Sequence, residues 1–174
     1  MSYYNNIHFA DLSEEHLEML RNWRNTDEVK QFLVNKNHIK ADEQIKWFAE
    51  LDKRKNIYYI VYYENTAIGC ASLVNIDYKK KTAQPGFFIG NIKFRNHPVA
   101  VFSVYKLIER AFNDLKLNHL ESVVLAENKS AIQLYRFLGF GLTPINTELM
   151  NSKISRKQFY NNQSVIKKKL FGNC

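Results

Sequence analysis

The 174 residues predict a single-domain α/β (α+β) fold: a mixed six- to seven-stranded sheet with helices on both faces. Three observations predict it. Apolar periodicity switches from helical to alternating near residue 57 and back again near residue 99. Turn residues cut the middle third into three strand-sized runs. The last third then alternates strand and helix patterns, and no Gly/Ser linker, repeat or low-complexity tract divides the chain.

Each element has a local reason. Ile7–Phe9 reads as a short first strand. Ser13 is an N-cap, with Glu14 and Glu15 in the first turn of a helix that carries Leu17 and Leu20 on one face and ends near Asn25. Thr26 caps a second short helix behind Asp27 and Glu28. A third helix, Ala41–Leu51, sets Ile45, Phe48 and Leu51 on one stripe. Ile57–Tyr63 is β-branched and aromatic, Glu64 to Thr66 turn, and Ala67–Ile76 is the next strand. Lys79–Lys81 turn into Thr82–Ile89, where Pro85 and Gly86 imply a bulge or a splayed edge. Val99–Leu115 is a long helix with its apolar residues at strict helical spacing. A buried strand at Leu120–Ala126, a helix at Lys129–Phe137 and a closing pair of strands, Phe140–Leu149 and Gln163–Leu170, complete the chain. Lys167–Lys169 are expected on the exposed edge of that last strand.

Composition limits the function classes. Hydrophobic residues are 45% and charged ones 24%, which excludes a disordered chain. No stretch approaches the ~18 apolar residues of a membrane span, so no membrane insertion is expected. The first eight residues lack a basic and then apolar leader, which points to the cytoplasm. Cys70 and Cys174 define neither a disulfide framework nor a metal site, and His8, His16, His97 and His119 have no metal spacing. Lys and Arg total 25 against 17 for Asp and Glu, a formal charge of +8. That surplus favours anionic partners such as phosphorylated cofactors and nucleotide-linked metabolites, and disfavours polyamines. A basic nucleic-acid-binding module is the other class this charge suggests, but no nucleic-acid motif accompanies it and no nucleic-acid partner is expected.

One stretch is far more specific than the rest. After the strand ending near Leu125, Asn128 opens a helix with its side chain free to cap it. Ala131, Leu134 and Tyr135 share one face of that helix, and Gly139 allows a tight exit before Phe140. The pattern Asn-x-x-Ala-x-x-Leu-Tyr-x-x-x-Gly-Phe resembles the GNAT superfamily of acyl-CoA-dependent N-acyltransferases, and every position of it is filled. The resemblance implies acyl-CoA as co-substrate and no metal. It carries Asn128, Ala131 and Tyr135 into the coenzyme A site, with Tyr135 also the general acid: a phenol near pKa 10 can protonate a thiolate whose thiol sits near about 8.5.

The companion phosphate-binding turn departs from the family. Where the pattern wants Arg/Gln-x-x-Gly-x-Gly/Ala, the chain has Arg95, Asn96, His97, Pro98, Val99 and Ala100. Unsatisfied amides at a helix N-terminus bind pyrophosphate, and Pro98 removes one of them. Arg95, Val99 and Ala100 are therefore expected to hold rearranged phosphate contacts. Phe88, Ile89 and Gly90 are implied at the strand lip that receives the pantetheine arm; Phe87 and Phe88 alternate faces, so one of them belongs to the core. Many relatives carry a Glu base on the third strand, and here the matching position is the neutral Gln84.

Within the superfamily, Trp23, Arg24 and Asn25 closing the first helix, Asn37, His38 and Ile39 before the third, and Val74, Asn75 and Ile76 ending a strand resemble the nucleotide-aminosugar N-acetyltransferases of the pseudaminic acid pathway. The likeness covers most of residues 15–142. It implies transfer of an acetyl or longer short-chain acyl group to the amine of a nucleotide-linked deoxyaminosugar, in surface-polysaccharide synthesis. Trp23, Arg24, Asn25, His38 and Asn75 become candidate acceptor contacts. Trp23 offers a face for a base or a piece of core, Arg24 a bidentate partner for a diphosphate, and His38 a general base or a cap. Trp-Arg-Asn also occurs in ribosomal-protein N-terminal acetyltransferases, the rival within enzymes. The missing base favours a sugar or α-amino acceptor over lysine: deprotonating an amine near pKa 10.4 at pH 7 costs about 4.6 kcal/mol, one near pKa 8 about 1.4 kcal/mol. A homodimer is expected by analogy with the family alone.

Overall fold

A computed structural model describes residues 3–172, so Cys174 lies outside the described residues. Seven strands form one mixed sheet in the order β1-β2-β3-β4-β5-β7-β6. β1 (Ile7–Asp11), β2 (Ile57–Tyr63), β3 (Thr66–Asp77) and β4 (Thr82–Ile89) make an antiparallel meander. β5 (His119–Leu125) lies parallel to β4, and the hairpin of β6 (Gly141–Pro144) and β7 (Leu149–Ser155) closes the far edge.

Two apolar clusters cover the two faces. α4 (Val99–Asn113) lays Val104, Leu107, Ile108, Ala111 and Phe112 on one face, against Val61, Leu73, Ala83 and Leu120. On the other, α1 (Leu17–Asn25) and α3 (Ala41–Ala49) bring Leu17, Leu20, Trp47 and Phe48 onto Ile60, Cys70 and Phe88. α2 (Asp27–Lys30) follows α1 directly and is anchored by buried Val29. The strand residues alternate between the clusters, Phe87 and Ile89 facing the first and Phe88 the second.

Four expectations are corrected. Gln163–Leu170 is not a strand but part of α6 (Arg156–Phe171), and the closing hairpin is formed by β6 and β7 instead. Ser155 starts this helix, its Oγ accepting from Gln158 N at 3.1 Å while Gln158 Oε1 accepts from Ser155 N at 2.9 Å. Phe159 and Ile166, seven residues apart, then bury one stripe beside Tyr105 and Phe112. Lys167–Lys169 accordingly lie on a helix rather than a strand edge.

On α3 the inward face is Gln44, Trp47 and Phe48, while Ile45 is 60% exposed. The helix also stops at Ala49, short of Leu51. Pro85 and Gly86 sit in register opposite Leu73 and Ser72, and the ladder breaks between Val74 and Asp77 instead. Of the two options that Pro85 posed, the splayed edge is the one adopted: β4 meets β5 only at Thr82↔His119 and Ala83↔Leu120.

Candidate active site

Beyond Ala83 and Leu120 the two central strands separate, which leaves one side of β4 unpaired. Gly90 N donates to Ile68 O at 2.9 Å. By the alternation of an antiparallel ladder, Gln84, Gly86, Phe88 and Gly90 then turn their main-chain groups toward β3, and Pro85, Phe87 and Ile89 turn theirs toward the gap. Of the three predicted lip residues, Ile89 thus has its main chain open, while Phe88 and Gly90 do not. Phe87 is the open residue that sequence reasoning passed over. Pro85 held the signal, because a proline fits a strand only where its missing N–H would have no partner, which makes 85, 87 and 89 the open set.

The helix after β5 is built as its motif implies. Asn128 Oδ1 accepts from Ala131 N at 3.0 Å, capping α5 (Lys129–Phe137). Gly139 adopts φ +89, in the left-handed region, and Phe140 N returns to Tyr135 O at 2.9 Å. The Tyr135 ring packs 4.7 Å from that of Phe140 and contacts the side chain of Ser122, two residues past the last β4–β5 pair. Burial pushes the Tyr135 phenol above its ordinary value and the Ser122 contact opposes this, so the proton stays on oxygen at neutral pH.

The turn before α4 differs from the expected cradle. Val99 N donates to His97 Nδ1 at 3.3 Å, and Ala100 N donates to His97 O at 3.3 Å. Both amides assigned to phosphate are therefore engaged by His97, a residue given no role in the sequence reading. Its ring is held among Tyr3, Tyr63 and Phe94 at centroid distances of 5.2, 5.7 and 5.6 Å. Asn96, at φ +60, makes the bend that brings the ring back over the helix start. The Arg95 guanidinium is half-buried and has no hydrogen bond or ion pair among the described residues, so its charge is available to an anion.

A cavity of about 550 Å³ opens on the opposite face of β4, of a size that suits a small-molecule site. Arg24 and Leu20 from α1, His38 from the following loop, Gln44 and Trp47 from α3, and Tyr58, Cys70, Phe87 and Phe88 from the sheet line it. Trp47 stands edge-on to Tyr58 at 5.1 Å. Burial pushes the Cys70 thiol up to about 12, Arg24 opposing, which makes it an inert wall rather than a nucleophile. Burial likewise raises the Tyr58 phenol.

Arg24 and His38 thus meet in one cavity. Trp23 does not join them: a Cβ on Gly90 would lie 2.1 Å from its Cδ2, so the indole fills the space beneath that glycine as core. The Asn25 side chain clasps the chain, donating to Ile39 O at 2.8 Å and accepting from Ile39 N at 2.9 Å. Asn75 Nδ2 donates to Gln84 Oε1 at 3.0 Å, which pairs two predicted residues with each other; neither lines the cavity. Gln84 therefore offers its NH₂ as a donor. Trp47, Tyr58 and Gln44 escaped the sequence reading, since helical spacing alone pointed Ile45 inward.

The profile of the family described as an acetyltransferase (GNAT) domain matches residues 6–141. The chain is a GNAT acetyltransferase. This member is 29% identical to Acetyltransferase PseH of Campylobacter jejuni subsp. jejuni serotype O:23/36 (strain 81-176) over 131 residues, 74% of this chain and 78% of that protein. It is 28% identical over 130 residues to PseH of serotype O:2 (strain ATCC 700819 / NCTC 11168), with the same coverage. Among solved structures, spermidine N-acetyltransferase from Vibrio cholerae, in complex with CoA and spermine, superposes with TM-score 0.82 at 18% identity, over 90% of this chain and 99% of that one. PseH of Campylobacter jejuni gives TM-score 0.67 at 20% identity, over 87% and 99%. These structural likenesses speak for the fold. The protein is an acyl-CoA-dependent N-acyltransferase. No helix among the described residues is long and apolar enough to cross a membrane, and no cluster of three or more His, Cys, Asp or Glu among them would hold a metal ion.

Proposed function

We propose that this acetyltransferase acylates the amine of a nucleotide-linked deoxyaminosugar. One observation carries the choice against a polyamine: among the described residues a single carboxylate lines the cavity, Glu43, which accepts from Lys40 N at 2.8 Å, and Arg24 sets a cation beside it. A polyamine's several ammonium groups would meet a positive guanidinium and a single carboxylate already tied to the start of α3, whereas a diphosphate would gain a charge-assisted contact. The sequence likeness to PseH supports the same reading.

In this reading bound acyl-CoA supplies the activated thioester. The main-chain groups of Phe87 and Ile89 align its arm as an added strand would, and Arg95 takes phosphate charge. Asn128 keeps its NH₂ for the cofactor while its oxygen caps α5. Gln84, donating through its NH₂, orients the acceptor and takes no proton, so the sugar amine enters neutral. As the C–N bond forms and the C–S bond breaks, Tyr135 gives the departing thiolate the proton held at Oη, and the proton that the amine nitrogen sheds restores the phenol.

Thiol release from acetyl-CoA, followed over nucleotide aminosugars, spermidine and N-terminal peptides, tests the proposal. Turnover of the sugars is expected. Turnover confined to spermidine or to peptides would overturn it.

A further inference from the structure

Between α2 and α3 the chain runs over the cavity described above, and residues 33, 35, 37 and 38 line it. Both ends of this segment are anchored: Val29 is buried at the end of α2, and Asn25 clasps both main-chain groups of Ile39. The span between them is exposed, with Phe32 at 45% and Val34 at 61%. Among the described residues Asn35 and Asn37 bond only to each other, Asn37 N donating to Asn35 Oδ1 at 3.0 Å. Among the described residues, 34–38 make one polar tie beyond the segment: Lys36 Nζ lies 3.6 Å from Glu127 Oε1.

That tie crosses the molecule. Lys36 belongs to the acceptor half, and Glu127 to the turn between β5 and α5, immediately before the capping Asn128. We infer that residues 33–38 form a strap over the acceptor cavity, and that Lys36 and Glu127 are positioning residues whose ion pair holds it shut. The inference rests on reading the cavity as the acceptor site. Both side chains are half or more exposed, so the pair is weak and sensitive to salt. Such a latch closes over a bound acceptor and still opens within a turnover, which a buried pair would not. Neither residue touches the reacting atoms; each acts through the strap.

Charge reversal tests this without endangering the fold, because both side chains are solvated. Chymotrypsin, which cuts after Phe32 and Leu33, reads strap opening with no acceptor present. Lys36→Glu and Glu127→Lys are each expected to raise the nicking rate about two- to five-fold, the range of an exposed pair. They should raise the KM of whichever amine is turned over by a similar factor, and Lys36→Glu should leave the acyl-CoA KM alone. The double variant Lys36→Glu/Glu127→Lys should return both readouts toward the parent. Raising salt from about 0.05 to about 0.5 M should loosen the parent but neither single variant. Equal nicking in all four proteins, or a double variant no better than the singles, would overturn the strap. Faster nicking with unchanged acceptor KM would overturn its role in acceptor capture. A failure of the aminosugar to react would sink the proposed acceptor and leave the nicking result standing.

Discussion

The half proposed to hold the cofactor and the half proposed to hold the acceptor are built on different principles in this acetyltransferase. Around α5 the motif residues lie within twelve positions: Asn128 caps its own helix, Tyr135 sits two turns later, and Gly139 ends it. The acceptor cavity draws on α1, a loop, α3, β2, β3 and β4, and its wall residues are far apart in sequence. The first half is local hydrogen bonding that a motif can encode. The second is packing between layers, where a residue's role depends on what the fold sets opposite it. Trp23 and Trp47 show the difference: the one inside a recognisable tripeptide is core, and the one with no motif lines the cavity.

That contrast breaks most sharply at Tyr135. Tyr135→Phe removes the proton donor but keeps the ring against Phe140, so kcat should fall by about 100-fold or more with the acceptor KM nearly unchanged. Steady-state kinetics would show it, and parental kcat in the variant would remove the acid from α5. In the acceptor half, Arg24→Met keeps the packing length and deletes the charge. It should raise the KM for an anionic acceptor about 10-fold or more, as expected for a lost charged hydrogen bond, without altering the acyl-CoA KM. Equal losses for both substrates would mean that the two halves are not separable.

Gly90 links the halves, and its variant tests packing rather than chemistry. Gly90→Ala must displace the indole of Trp23, at a cost of about 1–3 kcal/mol. Thermal unfolding should fall by several degrees, since about 1 kcal/mol moves Tm by ~2–4 °C in a domain of this size. An unchanged Tm would show that Trp23 moves freely, as a ligand contact would.

The effect absent at neutral pH is on the alkaline side. The Cys70 thiol is raised from 9.0 to about 12 in the folded chain. The native state therefore holds its proton after the unfolded state has lost it. This contribution to stability is complete below about pH 9 and disappears as pH rises toward 12. Cys70→Ala should flatten the fall in Tm between those limits, beside the fall that raised tyrosines such as Tyr58, Tyr59 and Tyr135 also cause. An identical slope in the variant would place the thiol in contact with water.

Most of the fold was legible in the chain, because alternation and helical spacing are local and the strands of the meander follow one another. The exception, α6, shows the limit. Val165 and Ile166 carry β-branched character, but the box of Ser155 and Gln158 and the burial of Phe159 and Ile166 on one stripe make the segment helical. The site was legible unevenly. The α5 motif was read to the residue, whereas the parity of the β4 lip shifted to Phe87 and Ile89. Asn25 proved to hold a loop, and His97 occupies the amides assigned to phosphate.

By itself the chain determined its class: the strand order of the meander, a capped helix bearing Tyr135, and the net positive charge from which an anionic substrate is proposed. Such features follow from neighbours in sequence. Tertiary structure alone decided which main-chain groups of β4 remain open, which tryptophan faces the acceptor, and that Lys36 reaches Glu127. Each of these is a juxtaposition of segments distant along the chain, set when two sheet faces and their helices pack, and no local propensity specifies such a meeting.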